Sequence, residues 1–141
     1  ATTEIYTLSL HDALPISPVR RDPVLGLEGV DGVIDKDRAA QILAHEIGAS
    51  VLAILTNVDG VYRAFGRPDQ ELVRHMTAAE AEKMIAAGEL GRGSMEPKVE
   101  AAVAFVRGGG KRAHIARLDR GLEAVRGEAG TVIVNDHRET A

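Results

Sequence analysis

The sequence predicts an α/β domain with a mainly parallel sheet and helices on both of its faces. Three observations lead there. Ser50 to Thr56 (SVLAILT) is a continuous apolar run bounded by turn residues, the pattern of a strand buried on both faces. Two further short runs, Lys111 to Ala116 and Thr131 to Val134, read as strands, the second of them β-branched. Segments of helical period separate the three, and strands alternating with helices build βαβ units. A length of 141 residues is enough for one domain and not for two.

In chain order, Ala1 to Ser17 contains no amphipathic period that continues past Pro18. It lacks a basic start, and Glu4 and Asp12 interrupt it, so it is a poor secretory signal. The string TTEIYTLSLHDALPI resembles the in-frame translation of a common sequencing adapter, which places the start of the natural sequence near Pro18. Without this segment the acidic residues fall from 21 to 19 against 17 basic ones, a net charge of −2. Pro18 to Asp31 is rich in Pro, Gly and charge. Gly26, Gly29 and Gly32 do not match G-x-G-x-x-G, and a hairpin explains them better.

Asp35 to Ile47 reads as a helix with an apolar stripe at Ala39, Ala40, Ile42, Leu43 and Ile47, ended by Gly48. After the 50–56 strand, Asn57-Val58-Asp59-Gly60 turns the chain. Thr77-Ala78-Ala79-Glu80 is a capping box opening a helix to about Ala87, stopped by Gly88. A glycine-bearing loop, Glu89 to Glu96, leads to Pro97 at the first position of another helix. That helix carries Val99, Ala102, Val103 and Val106 on one face, and Gly108 to Gly110 end it. Asp119 to about Arg126 is a short helix before the last strand.

Composition excludes several functions. There is no cysteine, hence no thiol nucleophile, disulfide or thiolate metal site. No apolar run reaches eighteen residues, so no membrane-spanning helix is expected. The net charge is −4, no block of five basic residues occurs and aromatics make up 3%, so no nucleic-acid partner is expected. In parallel sheets ligands bind beyond the carboxyl ends of strands, which directs attention to the loops after Thr56 and Ala116.

Two lysines break a local rule there. Helix starts favour anions, yet Lys36 sits in the first turn of one helix and Lys98 directly follows Pro97 in another. Ion pairs with Asp35 or Asp37, and with Glu96 or Glu100, would account for them as solvated surface groups. A phosphate would account for both, and Gly91-Arg92-Gly93-Ser94-Met95 before Lys98 is a glycine loop running into a helix start. The Walker A pattern is absent. Asp59-Gly60-Val61-Tyr62 is either a plain turn or a strand-end site at which an acid orients a lysine or ribose and a tyrosine packs on a purine. His45, His75 and His114 lack metal-site spacing and read as structural, Ser94 is in no nucleophile elbow, and Arg112, Arg117, Arg120 and Lys83 read as solvated.

Together these stretches resemble the carbamate kinases of the amino-acid kinase family. The match runs in family order through Val33-Ile34-Asp35-Lys36-Asp37, Leu55-Thr56-Asn57-Val58-Asp59-Gly60-Val61-Tyr62, Gly66-Arg67-Pro68-Asp69-Gln70 and Gly93-Ser94-Met95-Glu96-Pro97-Lys98-Val99-Glu100-Ala101-Ala102, with Gly127-Glu128-Ala129-Gly130-Thr131 as the closing turn. The resemblance implies a three-layer αβα sandwich, of which residues 18–141 would be the carboxyl-terminal, nucleotide-binding lobe. It implies reversible phosphoryl transfer between ATP and carbamate, giving ADP and carbamoyl phosphate with Mg2+, in a cytoplasmic homodimer. By motif position Lys36 and Lys98 would reach the reacting phosphates and Asp37 would hold the lysines. Thr56, Asn57, Asp59, Tyr62, Gly93, Ser94 and Met95 would line the nucleotide pocket. Asn57 stands where the family often has aspartate, and Leu90-Gly91-Arg92 replaces a more apolar, proline-bearing approach. The family's amino-terminal lobe, with its glycine-rich phosphate loop, carbamate-binding residues and a further lysine, has no counterpart here. The piece is therefore expected to bind nucleotide and not to turn over. A sibling kinase acting on acetylglutamate, aspartate or uridylate, and a non-catalytic nucleotide-binding module, are the alternative readings.

Overall fold

The computed structural model describes residues 19–29, 35–90 and 93–136. The adapter-like segment, Gly32, Val33, Ile34, Gly91 and Arg92 lie outside them. The chain divides into two units, one ending at residue 34 and one beginning at residue 35. In the first, β1 (Val19–Asp22) and β2 (Gly26–Gly29) form the antiparallel hairpin expected of this glycine-bearing stretch. Asp22 closes its turn by accepting the N–H groups of Val24 and Leu25.

The second unit contains α1 (Lys36–Glu46), β3 (Val51–Thr56), β4 (Tyr62–Arg63), β5 (Glu71–Leu72), β6 (His75–Thr77), α2 (Ala78–Ala86), α3 (Met95–Arg107), β7 (Arg112–Arg117), α4 (Gly121–Val125) and β8 (Thr131–Val134). A four-stranded sheet has the order β3-β7-β8-β6. β3 runs parallel to β7 and β6 parallel to β8, while β7 and β8 are antiparallel. The sheet is thus mixed, because β8 returns antiparallel beside β7; the three residues of β6, which carry no apolar period, add a further strand that sequence pattern alone leaves as loop. β4 and β5 form a separate small hairpin around the Gly66-Arg67-Pro68-Asp69-Gln70 stretch.

Local sequence accounts for the helix ends. Asp35 caps α1 by accepting the Arg38 N–H at 2.8 Å. In α2 the capping box is complete: Thr77 N–H donates to Glu80 Oε2 at 2.8 Å and Glu80 N–H to Thr77 Oγ1 at 3.2 Å. Ser94 caps α3 without a side-chain bond, and the helix begins at Met95, two residues before Pro97. Proline is accommodated in that first turn because its missing N–H would have no partner there.

The core lies on one face of the sheet, where Leu52, Ile54, Ala113, Ile115 and Ile133 meet α3. The stripe expected on α3 is buried throughout, and Ala101 and Phe105 are buried as well, since α1 and α2 pack on its flanks. On the opposite face lies α4, its Gly121 against Leu55. Two expectations fail. β3 is not buried on both faces: it is an edge strand with Ala53 and Leu55 exposed, because α4 is too short to cover that face. Nor does α1 bury its large apolar residues; Ile42, Leu43 and Ile47 are exposed. α1 instead buries Asp37 and Ala44, with Ala40 partly buried beside them. These small or polar groups allow close contact with α3. No helix among the described residues is long and apolar enough to cross a membrane.

Gly130 occupies the left-handed region at φ +78°, and a Cβ there would meet the Ile115 carbonyl oxygen at 2.5 Å. Only glycine satisfies both conditions. Arg107, at the end of α3, is held by Glu82 at 3.0 Å and by Asp136, so the last turn of α3 is tied to α2 and to the segment after β8.

Candidate functional site

The carboxyl end of β3 opens onto a cavity of about 380 Å3, lined by Thr56, Asn57, Val58, Gly60, Tyr62, Phe65, Leu90, Gly93, Ser94 and Met95. Its volume is that of a small-molecule site. Three segments distant in sequence meet here: the loop after β3, the β4–β5 hairpin and the start of α3. Of the residues expected to line a nucleotide pocket, Thr56, Asn57, Tyr62, Gly93, Ser94 and Met95 are brought together. Thr56 is buried, and its hydroxyl donates to Asn57 Oδ1 at 3.3 Å.

Asp59 stands apart from them. Its carboxylate belongs to a second, more polar cavity of about 200 Å3 with Arg74, Arg117, Arg120 and Glu128. It accepts the Tyr62 hydroxyl at 3.3 Å and lies 3.8 Å from Arg117. Burial and the Asp59 charge both push the Tyr62 phenol above its ordinary value. Arg117 is exposed, as its sequence context suggested, and Asp119 grips it through two bonds of 2.7 and 2.8 Å.

Sequence reasoning also missed Phe65. It is 57% exposed, and its ring lies 5.7 Å from that of Tyr62, so an aromatic pair forms one wall of the larger cavity. The signal available was a second aromatic residue three positions after Tyr62.

Gly60 explains the Asp-Gly-Val string structurally. A Cβ at Gly60 would meet Thr131 Oγ1 at 2.6 Å. That hydroxyl accepts the Val61 N–H at 2.8 Å and donates to the Val73 carbonyl at 2.7 Å, joining three segments at one buried atom. Gly60→Ala is expected to lower unfolding stability by about 2 kcal/mol through overpacking, as read by urea denaturation; a change below about 0.5 kcal/mol would show that the loop yields.

The three residues expected to act on phosphate lie outside both cavity linings. Lys98 Nζ donates to Asp37 Oδ2 at 2.7 Å, and the two residues are only 5% and 9% exposed. Neither Glu96 nor Glu100 is the partner of Lys98; the acid comes from another helix, 61 positions away. The anion that offsets a cation in the first turn of α3 is thus supplied by the protein itself, which removes half of the dipole argument for a bound phosphate. Lys36 is exposed at the head of α1, next to Asp37, and pairs with no acid among the described residues. Of the histidines, His75 is exposed, His45 packs edge-on against Phe105 at 6.0 Å, and His114 is buried in the sheet. Among the described residues no three metal-ligating side chains cluster.

A family model described as "Amino acid kinase family" matches residues 8–117, so its match reaches into the adapter-like segment. The carbamate kinase of Halobacterium salinarum is 55% identical over 108 residues, 77% of this chain and 35% of that protein. The carbamate kinase of Thermoplasma acidophilum is 45% identical over the same shares. Among solved structures, carbamate kinase from Giardia lamblia bound to AMP-PNP superposes with a TM-score of 0.79 at 34% identity, over 84% of this chain and 41% of that one. The chain spans about 35% of the length of the curated relatives it matches.

Proposed function

Because this chain belongs to the amino acid kinase family, we propose that it is the nucleotide-binding portion of a carbamate kinase. The whole enzyme would move a phosphoryl group between ATP and carbamate. The observation that carries this reading is the cavity at the end of β3, closed on one side by the glycine-serine start of α3. Tyr62, Phe65 and Leu90 offer an apolar bed for a purine, while Thr56, Asn57 and Ser94 supply polar atoms to orient it. A neighbour of the same fold carries the ATP analogue AMP-PNP.

In the forward direction a carbamate oxygen would form the new bond to the γ-phosphorus as the bond to the β,γ-bridging oxygen breaks, releasing ADP and carbamoyl phosphate. Charge spreads over the transferring oxygens in such a step, so positioned cations lower the barrier. Lys98 would serve there, its ammonium set by Asp37, and exposed Lys36 would be the second cation. Mg2+ would arrive on the phosphates, coordinated by their oxygens and water. An ATP-dependent reaction fits a cytoplasmic enzyme, and the whole protein would be a homodimer.

Carbamate specificity would reside in the part of the relatives that this chain does not span. The purified 141-residue chain is therefore expected to bind ATP weakly, in calorimetric titration, and to make no ATP from ADP and carbamoyl phosphate. Robust turnover by this chain alone would overturn the assignment of a partial enzyme. An absence of any nucleotide affinity would overturn the site. In a protein restored to the relatives' length, transfer to acetylglutamate, aspartate or uridylate in place of carbamate would name a sibling kinase instead.

A further inference from the structure

We propose that Arg117 is a positioning residue for the nucleotide cavity: through Asp59 it sets the Tyr62 side chain, and with it the aromatic wall on which a base would pack. The ligand in this inference rests on the nucleotide-binding reading above; the device itself rests on local geometry. Arg117 ends β7 and is the register partner of Thr56, which ends β3. Its backbone therefore lies one strand away from the loop that carries Asp59.

Its guanidinium is oriented before it meets Asp59. Nε and Nη2 donate to the two oxygens of Asp119 at 2.7 and 2.8 Å, a fork that fixes the plane of the group. Nη1 is left for Asp59, 3.8 Å from Oδ1. The other oxygen of Asp59 accepts the Tyr62 hydroxyl at 3.3 Å, and the Tyr62 ring leans on Phe65. Neither Arg117 nor Asp59 lines the larger cavity, whereas Tyr62 does, so Tyr62 is the side chain by which the relay reaches its ligand. All three charged groups are substantially exposed, and exposed ion pairs add little to folding stability. The relay orders a side chain and does not hold the fold.

The sequence contains no tryptophan and two tyrosines, so in a Tyr6→Phe background tyrosine emission comes from Tyr62 alone. A carboxylate accepting the phenol proton quenches that emission. Asp59→Asn, which removes the carboxylate charge, gives the unquenched reference. Arg117→Leu is expected to raise emission toward that reference, leave the thermal midpoint within about 2 °C, and weaken ATP binding about threefold to tenfold. Arg117→Lys, which keeps the cation without the fork, should fall between the two. Unchanged emission in Arg117→Leu would overturn the proposal, since Asp59 would then hold Tyr62 unaided. Raised emission with unchanged ATP affinity would also overturn it, leaving a relay that positions nothing for the ligand. A parent chain without nucleotide affinity would refute the nucleotide reading, while the emission still decides whether Arg117 sets Tyr62.

Discussion

Lys98→Ala is expected to lower unfolding stability by about 3–5 kcal/mol, the usual cost of removing one partner of a buried ion pair. The Lys98 ammonium and the Asp37 carboxylate meet at 2.7 Å between α1 and α3 and are almost wholly shielded from water. Removing the lysine leaves a carboxylate with no counter-charge in a place with little access to water. Asp37→Ala strands the ammonium and should cost a similar amount. Native domains have about 5–15 kcal/mol of stability in total, so either single variant is expected to lose a large share of it. Combining Asp37→Ala with Lys98→Met removes both charges and keeps much of the lysine's volume, and should recover most of the loss. Urea denaturation of the parent, Asp37→Ala, Lys98→Met and the double variant closes the cycle. Single variants that lose less than about 1 kcal/mol would mean that water reaches the pair and that the helices are not packed as described. The double variant also separates folding from function: it should be folded, yet bind ATP more weakly if Lys98 serves the phosphates.

Acidification from pH 6.5 to pH 4 is expected to remove on the order of 3 kcal/mol of stability through His114 alone. His114 is 1% exposed in the middle of β7, and neither ring nitrogen has a hydrogen-bond partner among the described residues. Burial, and then the positive charges of Arg112 and His75, push its pKa from 6.5 down to about 4. Below pH 6.5 the unfolded chain takes up a proton that the folded chain refuses until about pH 4. Stability therefore falls with pH across that window, by at most about 1.4 kcal/mol per pH unit, and levels off below it with respect to this group. His114→Leu should abolish that slope. It should also raise stability at pH 7 by about 1–2 kcal/mol, because two unsatisfied nitrogens leave the interior. Urea midpoints at pH 7, 5.5 and 4.5 test both statements. A parent and variant with parallel pH profiles would show that His114 finds a partner or solvent.

Much of the architecture could be read from local pattern. The Thr77 capping box, the strand ending at Thr56 and the α3 stripe each lie where spacing puts them, because capping and periodicity act over a few residues. The misreadings share one cause. Whether Ile42 and Leu43 are covered, or whether Leu55 faces protein or water, depends on which element lies opposite, and no local pattern carries that information. β6 was invisible for the same reason, since three residues become a strand only when β8 offers an edge.

The candidate site divides along the same line. From residue order alone came the family likeness, the cavity-lining set from Thr56 to Tyr62 and the helix-start loop at Gly93 to Met95. Asp37 as the holder of Lys98 also came from the likeness, whereas the burial of that pair, the removal of Asp59 from the cavity wall to an arginine, the aromatic contact of Phe65 and the isolation of His114 among the described residues required the folded chain. Hydrogen bonds and ion pairs are satisfied by whatever group the fold brings within about 3 Å. Here those groups lie up to 70 residues apart, as for Val61 and Thr131.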